Sequence, residues 1–198
     1  MTKLNFIREK TFKEEIHRAG WNWVTKSLVN EFHDPKADIL VDEFIERTFD
    51  WDYTFNNNKA QTLLHHKQDW IGFIHNPIII PKPFDIKQSP VNMCARLPFM
   101  LALKKCKGIY TLSSDLEESV RHLFMQYGFD HVPVETLIHP TLLDVEKFKL
   151  NKFLRDPQIT CLGYWLRNFE PYWMLKTKMP KNVLLGRLPY AHQIYARQ

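Results

Sequence analysis

The sequence predicts an α/β fold with a mostly parallel sheet, followed by the start of a second α/β domain. Three observations point there. Short apolar runs alternate with segments whose apolar residues recur at helical spacing. The intervals between runs are long enough for the crossover helices that parallel strands require. The run Trp70 to Ile74 (WIGFI) is apolar throughout, as a strand buried on both faces must be.

Taken in order, Leu4 to Ile7 reads as a short first strand. Gly20 to Phe32 reads as a helix, because Val24, Leu28 and Phe32 fall on one face of a 3.6-residue period. Thr11 with Glu14 forms an alternative, earlier capping box. That start would leave Gly20 in mid-helix at a cost of about 1 kcal/mol relative to Ala, so Gly20 is placed near the helix start. Ala37 to Phe44 reads as a strand, Asn56-Asn57-Asn58 as a loop, and Trp70 to Ile74 as the strand already noted. Pro77, Pro81 and Pro83 keep the next stretch extended. Pro98 opens a helix containing Met100, Leu101 and Leu103. Ile109 to Leu112 is the next strand. Ser114 to Glu117 is a capping box ahead of an apolar face made by Leu116, Val120, Leu123 and Tyr127, with Gly128 as C-cap. Val134 to Ile138 is a further strand. Residues 1–141 thus form one domain. Residues 142–158, charged and weakly patterned, read as a linker, and Ile159 to Gly163 starts something new in 159–198. The 40 residues from Ile159 to Gln198 are too few for an independent core. Trp165, Tyr172, Trp173 and Leu184 are therefore expected to seek a partner.

Composition bounds the function. The chain has 198 residues, 44% of them apolar, enough to build a core and too many for a disordered chain. Its apolar runs, such as Ile78 to Ile80, are too short to span a bilayer, and Met1 to Lys10 lacks the apolar stretch of a signal peptide. The three cysteines, Cys94, Cys106 and Cys161, are odd in number and have no zinc-ligand spacing. A reducing, cytoplasmic location is the expectation. The net charge of +5 suits nucleic acid, a membrane surface or an anionic substrate. The basic residues are scattered, however, and no nucleic-acid motif is present.

Chemistry is expected where three apolar strands end in polar turns: His75-Asn76-Pro77, Ser113-Ser114 and His139-Pro140-Thr141. In open parallel sheets, ligands bind beyond the carboxyl ends of the strands. A histidine there has a pKa suited to general-base work. Ser114 starts a helix whose amides favour an anion, although its first duty is to cap that helix. Trp21, Trp23, Trp51 and Trp70 read first as core or interface aromatics.

The ordered segments Arg18-Ala-Gly-Trp-Asn-Trp-Val, Trp70-Ile-Gly-Phe-Ile-His-Asn-Pro, Cys106-Lys-Gly-Ile-Tyr-Thr-Leu-Ser and Leu137-Ile-His-Pro-Thr together resemble the N-terminal half of GT-B glycosyltransferases of the large glycosyltransferase-4-like group. Leu162-Gly-Tyr-Trp-Leu-Arg-Asn is similar to the opening of that family's donor-binding half. The resemblance spans about residues 4 to 198 and rests on the order of the segments. It implies two Rossmann-like domains: an acceptor-side domain at 1–141, and at 159–198 an incomplete start of the donor-side domain. The implied function is transfer of a sugar from a nucleotide-diphosphate sugar to a hydroxyl of a glycan or other acceptor. The alternative is a non-catalytic glycan- or partner-binding module of the same descent.

The resemblance places His75 beside the reacting sugar, as base or as positioning group. Gly20, Trp21, Asn76, Ser113, His139 and Thr141 would line the acceptor side, and Arg167 would meet the donor diphosphate. It implies no cofactor and no metal. The expected partners are the nucleotide sugar and the glycan acceptor, with peripheral membrane association, and either self-association or a second polypeptide completing the donor half. No nucleic-acid partner is expected. The family usually places a lysine five residues after the arginine, whereas Tyr172 stands here and the nearest lysine is Lys176.

Overall fold

A computed structural model describes residues 2–7, 21–51, 66–81, 84, 86–138, 146–163 and 166–184. Backbone contacts divide the chain into two units, Met1–Leu143 and Asp144–Gln198. The first contains a five-stranded sheet in the order β1-β2-β3-β4-β5, with every neighbouring pair parallel. Its strands are β1 (Asn5–Phe6), β2 (Leu40–Asp42), β3 (Trp70–Ile74), β4 (Cys106–Thr111) and β5 (Val134–Thr136). Helix α1 (Trp21–Phe32) lies between β1 and β2. Helices α2 (Pro90–Cys94) and α3 (Leu97–Leu103) lie between β3 and β4, and α4 (Ser114–Gln126) between β4 and β5. This is the layered βαβ arrangement of a Rossmann-like domain. The strand order does not reverse among the described strands, so the edge formed by their carboxyl ends is not split there by the switch point of doubly wound sheets.

Side-chain alternation explains why both faces are covered. Ile71 and Phe73 of β3 point to the face shared with Phe6, Val41 and Trp21, Leu28, Val29 and Phe32 of α1. Trp70 and Ile74 point to the other face, where Met93, Phe99, Leu103, Val120, Leu123 and Phe124 of α2–α4 pack. Gly72 faces this second side for a steric reason. A Cβ there would lie 2.7 Å from both Ile45 Cδ1 and Trp70 Cζ3, so only glycine lets the indole and the isoleucine close over the strand.

Several element ends differ from the expected ones, for local reasons. The β2 strand is shorter than 37–44 because it is bracketed by Asx turns: Lys36 N donates to Asp34 Oδ1, and Phe44 N to Asp42 Oδ1. The helix expected to start with a Ser114–Glu117 box is capped one residue earlier. Ser113 is extended (φ −155°, ψ 154°) and its Oγ accepts from Leu116 N at 3.3 Å. The five-residue α2 is too short to show a period; its only sequence signal is the cap-and-proline pair Ser89-Pro90. Gly20, His139, Pro140 and Thr141 lie outside the described residues.

Gly128 closes α4 in a Schellman motif. Its φ is 74°, Phe129 N donates to Phe124 O at 2.8 Å and Gly128 N to Met125 O at 3.1 Å. Nothing lies within 4 Å of where a Cβ would sit, so the cost of a side chain is that of the left-handed backbone alone. Gly128→Ala should lower stability by about 1–2 kcal/mol; a urea midpoint equal to that of the parent would contradict this.

The second unit contains β6 (Ile159–Leu162), α6 (Glu170–Met174) and β7 (Lys181–Leu184), with β6 and β7 paired in parallel. Helix α5 (Leu150–Arg155) occupies part of the stretch expected to be an irregular linker. Tyr172 stitches the βαβ unit together, its hydroxyl lying 2.7 Å from Asn182 O and 3.0 Å from Ile159 O. Leu162, Met174 and Leu184 are largely exposed. Among the described residues, no helix is long and apolar enough to cross a membrane.

Candidate functional site

Register puts the ends of β3, β4 and β5 on one level. Ile74 pairs with Thr111, and Thr111 with Thr136. His75 follows Ile74 directly and Ser113 lies two residues after Thr111, so both lie at the same carboxyl edge of the sheet. His139 follows β5 in sequence but lies outside the described residues.

His75 is held firmly. Its ring packs edge-on against Trp21 and Phe44, with both centroid distances 4.5 Å. Trp21 in turn rests against Phe73 at 5.0 Å. Nε2 of His75 lies 2.9 Å from Glu43 O. A carbonyl can only accept, so Nε2 carries the hydrogen, and in the neutral ring Nδ1 is the basic nitrogen.

Behind this turn lies a group of acids at the end of β2. Asp42 is buried and accepts from Phe44 N at 3.2 Å; its other oxygen lies 3.0 Å from His66 Nε2. Glu46 is wholly buried, and its Oε1 accepts from two consecutive backbone amides, His75 N at 2.7 Å and Asn76 N at 2.6 Å. Its Oε2 is buried without a hydrogen-bond partner among the described residues. Burial is the dominant influence on Glu46 and outweighs the two amide donors, pushing its pKa up from 4.5 to about 7; the nearby Asp42 charge adds to the rise. Sequence reasoning missed these acids. The available signal was the segment Val41-Asp42-Glu43-Phe44-Ile45-Glu46, where acidic residues interrupt an apolar run at a strand end.

The other expected site residues are partly committed to the fold. Asn76 is buried, with Nδ2 donating to Gln88 O at 2.9 Å, so it shapes the turn. Ser113 is exposed but caps α4, and its carbonyl accepts from Thr111 Oγ1 and Glu117 N. The first turn of α4 already carries Asp115 and Glu117. These complement the helix dipole and make the helix start a poor seat for a second anion. Glu117 also pairs with Arg121 at 2.8 Å and accepts from the Thr136 hydroxyl, tying α4 to β5.

Arg167 belongs to the second unit. It is exposed, and its Nε donates to Leu162 O at 3.3 Å. It sits in a loop with two left-handed residues, Gly163 (φ 75°) and Leu166 (φ 57°); the latter is an uncommon conformation for leucine. The thiols of Cys94 and Cys106 are pushed up to about 12 by burial, which makes both unsuited to act as nucleophiles. No group of three or more potential metal-ligating side chains occurs among the described residues. Two grooves, of about 390 and 360 Å³, flank α4; neither is lined by His75, Asn76 or Ser113.

No family model, no curated protein and no solved structure matches the chain. Fold and site together define an α/β domain with a parallel, Rossmann-like sheet. In architecture it is compatible with nucleotide-binding and transferase-type domains in general.

Proposed function

We propose that this chain carries the acceptor-side part of a nucleotide-sugar-dependent glycosyltransferase. The observation that carries the reading is the shared carboxyl edge of β3 and β4, where a tautomerically fixed His75 sits between Trp21 and Phe44 and the exposed Ser113 follows the neighbouring strand. An aromatic wall next to hydrogen-bonding groups suits a sugar, which has both apolar and hydroxylated faces. The acidic start of α4 fits an uncharged acceptor. His75 would hold the acceptor hydroxyl or the transferred sugar and, in a base role, would take the proton on Nδ1. Gly20, His139 and Thr141 are proposed to complete the acceptor edge. Arg167, with its exposed fork of donors, is proposed to meet the donor diphosphate. Catalysis would rest on positioning and on charge stabilisation of the leaving diphosphate. A cytoplasmic location, peripheral membrane association, and self-association or a completing polypeptide remain part of this proposal.

A second reading is a glycan-binding module without catalysis. It is favoured by how fully Asn76 and Ser113 are engaged within the fold. A panel of uridine and guanosine diphosphate sugars, offered with acceptor glycans, separates the two. Release of nucleoside diphosphate that depends on acceptor supports the transferase. Glycan binding with no nucleotide binding supports the module.

A further inference from the structure

We propose that Glu46 is a positioning residue, a buried carboxyl clamp whose protonation state sets how tightly the His75–Asn76 turn is held at the sheet edge. The geometry is specific. One oxygen takes both consecutive amides of the turn, at 2.7 and 2.6 Å, from a side chain with no solvent exposure, while the second oxygen is buried without a hydrogen-bond partner among the described residues. The His75 ring bonds to Glu43 O, three residues before Glu46. Backbone and side chain of His75 are thus both fixed by the segment 43–46. A backbone amide bonded to a carboxylate is held more strongly than one bonded to a neutral acid. Loss of the Glu46 proton therefore tightens the turn, and gain of the proton loosens it.

Burial places this proton change near neutrality, where a modest change in pH alters the clamp. The other ionisable groups of the region are Asp42, Glu43 and Arg47 on the same strand-to-helix segment, His66 ahead of β3, His75 itself, and the Asp50–Arg96 pair at 2.7 Å. Asp42 repels the Glu46 charge.

The importance of His75 at the edge is taken from the proposed function, but the test does not depend on turnover. The full chain, labelled with ¹⁵N, is titrated while the amide resonances of His75 and Asn76 and the His75 ring protons are followed. The expected result is a transition near neutrality in which both amide protons move downfield as pH rises. Glu46→Gln should abolish that transition in both amides, whatever step the imidazole itself shows. Glu46→Asp, one methylene shorter, should lose at least one amide bond and speed exchange of that amide about tenfold or more. Amides that titrate unchanged in Glu46→Gln would overturn the proposal. A chain that turns over no sugar nucleotide would overturn the transferase reading and leave this result standing.

Discussion

Trp70→Ala should destabilise the first unit by about 3–5 kcal/mol, among the larger effects of any single truncation. Trp70 is fully buried, packs against Phe49 and His66, and lies beneath the Cβ-free gap at Gly72. Its Nε1 donates to Ala102 O at 2.7 Å, joining β3 to the end of α3. Trp70→Phe separates packing from hydrogen bonding. Ala102 O also accepts from Lys105 N, so it is not orphaned, and the phenylalanine variant should lose only about 1 kcal/mol for the bond plus a smaller cavity cost. Urea unfolding measures both. Equal losses for Ala and Phe would mean that the hydrogen bond, rather than the indole volume, holds β3.

Stability should also fall as pH rises through the Glu46 titration. A carboxyl with a folded pKa of about 7 and an ordinary value of 4.5 keeps its proton when folded over a range in which the unfolded chain has lost it. Stability is then highest below about 4.5, declines toward 7 and levels off above it. The interval corresponds to about 3 kcal/mol. Other groups titrate as well, so the diagnostic quantity is the difference between wild type and Glu46→Gln. That difference should shift by about 3 kcal/mol in favour of the glutamine variant between roughly pH 4 and pH 8. A pH-independent difference would show that Glu46 has the same pKa in the folded and the unfolded chain.

How much was legible in the sequence follows from how local each cause is. The β3 strand was legible because five consecutive apolar residues between polar turns leave little else to form. Helix α4 was legible because its cap, apolar face and terminal glycine agree, although the cap fell on Ser113, where the backbone is extended, and not on Ser114. The early end of β2 at Asp42 was missed because the aspartate serves a turn, while its apolar neighbours read as continuing strand. Helix α5 was missed because its exposed residues show no buried face. The positions of His75 and Ser113 at the sheet edge were legible because turn residues after apolar runs mark strand ends. Glu46 was not found: only packing across β2 and β3 decides that a carboxylate is buried against two amides, and a glutamate two residues past the expected strand reads as ordinary surface. The monotonic strand order is likewise a product of non-local pairing, which periodicity does not encode.

The most direct measurement compares His75→Ala with the wild-type chain, using the donor and acceptor that the nucleotide-sugar panel identifies and checking both proteins for equal urea midpoints. A sugar-transfer edge built around His75 requires turnover to fall about a hundredfold or more in the alanine variant. Wild-type turnover with the fold intact would remove His75, and the edge it defines, from the reaction.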